Sequence, residues 1–289
     1  MKFFHILSFS ILAITSNVWA DMPLTIEDLI TDKGKYKIDL SLSYANNDQQ
    51  GLSLGLPIQI QTGPTSFIYL PTTIGERTGN SDTLIAVTNL RYGWSSQTEI
   101  YGRGSWLSTQ QRVQDINGIH SFSNSGFSDA WFGINHQFKK DDSSPAILGF
   151  AETSIIQRYQ GGSSNFKSNL LGVTSYTSLD PVVLSITGAY RLNQSRKDTQ
   201  IRPGNLLLLQ PSMAFAINDR VTLTTGFQWL NRAPDRLNNT SSGYHQTSTD
   251  LLLGLGFSYD KDNIINLTFK MNASGRNGAD LRVNWLYKI

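Results

Sequence analysis

The sequence predicts an all-β protein, a 12-stranded antiparallel up-and-down transmembrane β-barrel with a short N-terminal helical segment. Three observations predict it. About a dozen stretches alternate apolar and polar residues with period two, each around ten residues long, which is what a tilted strand needs to cross a bilayer. Short turns and long polar loops alternate between them, so every short connection falls on one side and every long one on the other. Charged residues are 16% and hydrophobics 39% of 289 residues. That composition suits an oily exterior around a polar lumen, and equally a secreted all-β sandwich, so it counts only beside the other two.

The chain opens with a leader over residues 1–20. Lys2 is the positive region, Phe3 to Ile14 an apolar core, and Val18-Trp19-Ala20 a small-x-Ala cleavage site before Asp21. The apolar run is too short for a membrane-crossing helix, which needs about 20 residues. No later stretch is long and apolar enough to span as a helix, so a membrane would be crossed by strands.

Residues 21–34 carry a capped helix start, Thr25 with Asp28, and Gly34 can end it. Leu29 and Ile30 give the segment a small apolar side. It is either a plug in the lumen or a periplasmic tail. Residues 35–289 form the barrel. Its first strand places Tyr36, Ile38, Leu40, Leu42 and Tyr44 on one face and Lys37, Asp39, Ser41 and Ser43 on the other. Residues 46–82 are interrupted by Gly63-Pro64 and Pro71 and read as a large external loop, with a short hairpin over Leu52 to Ile60 above the membrane.

From residue 83 the hairpins repeat. Strand 83–93 points Leu84, Leu90 and Tyr92 outward. Strand 98–109 points Ile100 and Trp106 outward and leads to a polar loop, 110–126. Strands 127–138 and 146–157 follow, with Phe132, Ile134, Ile147 and Ile155 outward. Strand 165–176 is assigned Phe166, Leu170, Gly172 and Tyr176 outward. Strands 182–193, 205–217, 221–231, 247–259 and 264–273 complete the series. Pro211 falls in mid-strand and cannot donate to a ladder, which predicts a bulge or local break. His136 is placed near an interface. The last strand puts Leu281, Val283, Trp285, Tyr287 and Ile289 on one face, with Trp and Tyr where a membrane interface favours amphipathic rings.

Period two assigns the other face to the lumen. The candidate lining residues are Arg91, Arg103, Asp129, Glu152, Lys167, Arg191, Arg232, Asp250, Lys270 and Arg282. An Arg or Lys facing lipid at mid-depth costs about 2–4 kcal/mol, so these charges belong inside. They either line a pore of mixed charge with a cationic excess or pair across the lumen and hold the barrel round.

Net charge is +2 and no basic patch suggests nucleic acid; cysteine is absent, which removes disulfide and thiolate chemistry. The mature chain has three histidines: His120 and His245 fall among serines in predicted external loops, which is ordinary loop composition, and His136 falls near the periplasmic end, away from outer-leaflet lipid. There is no Gly-x-Ser-x-Gly elbow, HExxH or P-loop, so no catalytic site, cofactor or metal is expected.

Several scaffold stretches carry a resemblance. These are Leu24 to Gly34 leading into the Tyr-rich strand, Gln61-Thr62-Gly63-Pro64-Thr65-Ser66, Asn80-Ser81-Asp82-Thr83-Leu84, and Leu206 to Trp229 around Asn218-Asp219-Arg220. They resemble outer-membrane "transporter" barrels similar to the meta-pathway phenol-degradation barrel family and, distantly, functional-amyloid export pores. The terminal strand resembles those read by the barrel-assembly machinery, with Ile289 where such strands usually carry Phe. The resemblance implies a Gram-negative outer membrane with lipopolysaccharide as surroundings. It also implies a passive channel for small solutes, hydrophobic or aromatic ones included. The alternatives are an export pore or assembly factor for a secreted polypeptide, and a structural or adhesive barrel with a closed lumen.

Overall fold

The computed structural model describes residues 30–54, 58–61, 66–70, 74–115, 118–142, 144–159, 162–196, 200–274 and 278–289. The leader, Leu29 and most of the expected N-terminal helix lie outside these residues. Residues 30–34 are a bend, a bridge and a turn rather than helix.

Eighteen strands occur among the described residues. They are β1 (Tyr36–Leu54), β2 (Ile58–Gln61), β3 (Phe67–Leu70), β4 (Ile74–Gly93), β5 (Thr98–Asp115), β6 (Gly118–Lys139), β7 (Ala146–Tyr159), β8 (Gly162–Ser164) and β9 (Ser168–Leu179). Then come β10 (Val182–Asn193), β11 (Ile201–Arg202), β12 (Leu206–Ala216), β13 (Val221–Arg232), β14 (Asp235–Leu237), β15 (Thr240–Ser242), β16 (Gln246–Ser258), β17 (Asn263–Asn272) and β18 (Gly278–Lys288). Twelve of them, all but β2, β3, β8, β11, β14 and β15, form one closed antiparallel meander. Closure is made by β1 against β18, from Lys37↔Lys288 to Asn47↔Gly278. A closed sheet has no unpaired edge, which is what lets strands stand in hydrocarbon.

The outward rows follow the alternation. Leu40, Leu90, Ile186, Leu209, Phe227, Leu253, Leu267 and Val283 are exposed on the exterior. Aromatic rings mark the end that carries the short turns: Tyr36 and Tyr92 lie 4.8 Å apart, Trp285 and Tyr287 6.0 Å apart. At that end Asp260 closes the turn into β17, accepting from the backbone N–H of Asp262 and Asn263 and from the Asn263 amide. The Asn263 amide is the main reason its carboxyl is held below the usual carboxylate range.

Four expectations change. Residues 46–82 are not mainly a loop, because β1 and β4 stay in register to Leu54↔Ile74. Beyond the bilayer a strand needs no apolar face, so Asn46 to Gln50 lose the alternation and keep the ladder. Side chains reinforce it there, with Tyr44 and Asn46 both donating to Asp82. The hairpin expected over Leu52 to Ile60 does not form: Leu52 to Leu54 pair with β4, and Ile58–Gln61 pairs instead with Phe67–Leu70, in a β2–β3 hairpin inside the barrel. Likewise β5 and β6 pair out to Asp115↔Gly118, where a polar loop 110–126 is expected.

The facing of β9 is also reversed. Leu170 and Tyr176 are buried in the lumen, while Leu171 and Val173 are exposed outside. Leu170-Leu171 fits either face, and a slip of one residue flips every side chain in a strand. Phe166, at φ 53, breaks the period just before β9 begins.

Pro211 does cause a local break. The β12–β13 register runs to Leu209↔Trp229 and resumes at Ser212↔Gly226 without shifting, so only the rungs at Gln210 and Pro211 are lost. Register shifts occur instead along β6, between Ser105 and Trp106 on its β5 side and between Ala130 and Trp131 on its β7 side.

Candidate functional site

The lumen is the site, and the β2–β3 hairpin occupies it. On one wall, Ile60 and Ile68 pack against the inward Ala45 of β1 and Ile85 and Val87 of β4. On the opposite wall, Phe67 joins a buried apolar cluster with Leu170, Ala189, Leu206, Leu208 and Leu230, from β9, β10, β12 and β13, and Trp131 of β6. Contacts to both walls mean that the hairpin bridges the barrel. Ser66, Phe67, Ile68 and Tyr69 are all buried. The Gln228 amide donates to Gln61 Oε1 at 2.9 Å and to Gln210 Oε1 at 3.0 Å.

Guanidinium groups secure this hairpin. Arg191 lies over the Trp131 ring at 4.6 Å and over the Tyr69 ring at 5.1 Å, and donates to the Phe67 carbonyl at 3.2 Å. Arg103 covers Trp131 as well, at 5.0 Å. Stacked, desolvated pairs of this kind contribute about 1–2 kcal/mol each. Arg191 has no carboxylate within ion-pair distance among the described residues; aromatic faces and a carbonyl receive its charge. Nearby, Arg232 bonds the Tyr159 hydroxyl at 2.8 Å and Asp235 at 2.5 Å, and Tyr159 itself bonds Asp235. Tyr69 meets Tyr159 edge-on at 5.2 Å.

Below the hairpin lies a cavity of about 460 Å³. Leu148, Phe150, Tyr176, Leu252 and Leu286 supply apolar wall; Asp39, Asn89, Asn266, Arg282 and Asn284 supply polar wall. Glu152 accepts from Arg103 at 2.9 Å and from the Tyr101 hydroxyl at 2.7 Å. Lys270 stands between Asp280 at 2.9 Å and Asp250 at 3.7 Å.

At the other end of the lumen, the residues just before β1 dock on the wall. Glu99, fully buried, accepts from both Thr31 N and Thr31 Oγ1 at 2.7 Å. Arg91 grips the other oxygen through Nη2 at 2.6 Å and Nε at 3.0 Å, and the Asn135 amide joins at 2.6 Å. Lys37 donates to the Ile30 carbonyl at 3.3 Å. The segment can lie this close only because residue 93 is glycine. A Cβ on Gly93 would sit 1.9 Å from the Asp32 carbonyl oxygen.

Of the ten lining candidates, Arg103, Asp129, Glu152, Arg191, Arg232 and Asp250 are buried, and Arg91, Lys270 and Arg282 are half-buried on inward rows. Asp129 accepts from the Trp131 indole at 2.9 Å. Lys167 does not join them. It precedes β9 and is out of step with the inward row Ser168, Leu170 and Tyr176. Sequence reasoning missed Phe67, Tyr69, Trp131, Tyr159 and Asp235 as lumen groups. The run Ser66-Phe67-Ile68-Tyr69-Leu70 was the available signal, since five residues with four bulky apolar ones do not stand free in water. Among the described residues no three His, Asp or Glu side chains form a group that could hold a metal ion.

The family described as "Putative MetA-pathway of phenol degradation" matches residues 43–283. No curated protein matches the chain in sequence. Among solved structures, an outer membrane channel from Pseudomonas putida F1 superposes with a TM-score of 0.64 at 8% identity, covering 96% of this chain and all (100%) of that one. The translocator domain of the autotransporter NalP from Neisseria meningitidis gives 0.53 at 12% identity, over 89% of each chain. The β domain of the Bordetella autotransporter BrkA gives 0.51 at 10% identity, over 89% of this chain and 100% of that one. At these identities the likeness is one of fold.

Proposed function

The chain belongs to the phenol-degradation barrel family, and from that premise we propose that it is a passive outer-membrane channel for small solutes, hydrophobic and aromatic ones included. The observation that carries the reading is the lumen. A closed cylinder encloses a cavity of about 460 Å³ whose wall is part apolar and part polar. Volumes of 300–1,000 Å³ with that mixture suit small molecules. The hairpin above it is held by side-chain contacts within an aqueous lumen, so it can move without breaking the barrel ladder. In this reading the lipid bilayer surrounds the outward rows, and lipopolysaccharide flanks the extended β1–β4 and β5–β6 hairpins. The barrel-assembly machinery recognises Leu281 to Ile289.

Purified protein in planar bilayers is expected to give discrete conductance. Replacing residues 58–70 by a short Gly-Ser linker should raise it, with the barrel still folded. A barrel that stays silent in both forms would overturn the reading and favour the closed structural barrel, for which the buried hairpin is the supporting observation. Export of a polypeptide is less well supported, because the hairpin already spans the width an extended chain would need.

A further inference from the structure

We propose that the cavity contains a recognition niche for a small flat carboxylate, centred on Arg282. The proposal deepens the channel reading and rests on it for its physiological sense. Its geometry begins with two inward-facing glycines of β16, Gly254 and Gly256, both on the cavity wall. Leu253, Leu255 and Leu267 border the cavity although they lie on outward rows. They do so because the neighbouring glycines leave the sheet backbone bare. Glycine weakens a strand interior and marks a place where something approaches the backbone closely. The recess has firm sides: a Cβ on Gly254 would meet Thr224 Cβ at 3.2 Å, and one on Gly256 would meet Asn266 Oδ1 at 2.9 Å. A flat body fits against such a floor, and a bulky one does not.

Strand register sets the polar groups beside that floor. One row runs Gly254–Thr268–Arg282–Ser43, and the next runs Gly256–Asn266–Asn284–Ser41. Leu252 stands one row further out, and Ile264 pairs with Leu286 on the side towards the short turns. A ring lying on the glycines therefore has apolar side chains beyond both ends and Arg282 to one side.

The charge count selects an anion. Arg91, Arg103 and Lys270 each have a carboxylate within 2.9 Å. Arg282 has none within ion-pair distance among the described residues. The carboxylate whose field reaches it, Asp280, is engaged by Lys270. A guanidinium presents a planar fork that fits a carboxylate with two parallel bonds. Next to it, Asn266 Oδ1, Asn284 Oδ1, Ser41 Oγ and Ser43 Oγ have no protein hydrogen-bond partner. These oxygens can accept from a hydroxyl on the same ligand. The chemistry recognised is thus a ring-sized monocarboxylate, better with a hydroxyl substituent than without.

The test is calorimetric titration of the purified barrel with 3-hydroxybenzoate, benzoate and benzyl alcohol, repeated with Arg282→Gln, Arg282→Lys and Gly254→Val. We expect 3-hydroxybenzoate to bind more tightly than benzoate, and benzyl alcohol at least tenfold more weakly than either. Arg282→Gln should cost the two carboxylates tenfold or more and leave benzyl alcohol unchanged. Arg282→Lys should keep part of the affinity, and Gly254→Val should weaken all three by filling the floor. Equal affinity for benzoate and benzyl alcohol, or carboxylate binding indifferent to Arg282→Gln, overturns the niche. A barrel that conducts without this binding sinks the niche alone; one that binds through Arg282 and never conducts sinks the channel alone.

Discussion

Replacing Phe67 with alanine should release the hairpin from the lumen. Phe67 is 1% exposed and belongs to the buried cluster of Leu170, Ala189, Leu206, Leu208, Leu230 and Trp131. A buried Phe→Ala change costs about 3–5 kcal/mol. Here the undocked side chain enters water in the lumen or above it, so the aqueous transfer scale applies rather than the lipid one. At about 1.4 kcal/mol per tenfold, the docked-to-undocked ratio should fall by roughly two to three and a half orders of magnitude. What remains includes the stacking of Arg191 on Tyr69, about 1–2 kcal/mol, its bond to the residue 67 carbonyl, the Tyr69–Tyr159 ring contact, the Gln228–Gln61 bond and the Ile60–Ile68 contact to the first wall. The chain contains no cysteine, so an Ile68→Cys reporter would be the sole thiol. Ile68 is as buried as Phe67, and a membrane-impermeant maleimide should label the reporter slowly. Adding Phe67→Ala should accelerate labelling by about a hundredfold or more by the same arithmetic, and should raise single-channel conductance. Phe67→Leu should lie between the two. Equal labelling rates and equal conductance with and without Phe67 would refute the idea that packing on this ring holds the hairpin in place.

Three further outcomes follow from the same contacts. Glu99→Ala removes both bonds to Thr31, and Gly93→Ala drives a methyl into the Asp32 carbonyl; each should speed trypsin cleavage at Lys33 in the otherwise folded barrel. Arg103→Ala leaves Glu152 buried with the Tyr101 hydroxyl alone, and should cost about 3–5 kcal/mol in unfolding from lipid vesicles, with Arg103→Ala/Glu152→Leu recovering much of it. Leu267→Arg places a charge on the outward row and should cost about 2–4 kcal/mol in the same assay. Arginine at the inward Thr224 should cost clearly less.

The barrel was readable because lipid imposes a strict local code. An outward side chain must be apolar whatever its neighbours are, so Ile38, Leu40 and Leu42 or Leu253, Leu255 and Phe257 announce their facing without tertiary information. Where the code stops, the reading stops. Asn46 to Gln50 extend β1 beyond the bilayer, where either face meets water and backbone pairing alone specifies the strand. Leu170-Leu171 carried two compatible registers, and the neighbouring strands chose between them. Polar partners were harder still, since a period-two pattern says that Arg191 and Glu152 point inward but not what they meet.

The sequence by itself determined strand number, the alternation of short with long connections, and the inward direction of most of the charges, because each is a consequence of a chain meeting hydrocarbon one strand at a time. Only the tertiary structure decided that Phe67 and Tyr69 fold back into the lumen, that Thr31 settles on Glu99, and that Arg282 meets no carboxylate at ion-pair distance among the described residues. Those outcomes depend on which distant walls a closed cylinder brings within a few ångströms of one another. No local periodicity encodes that distance.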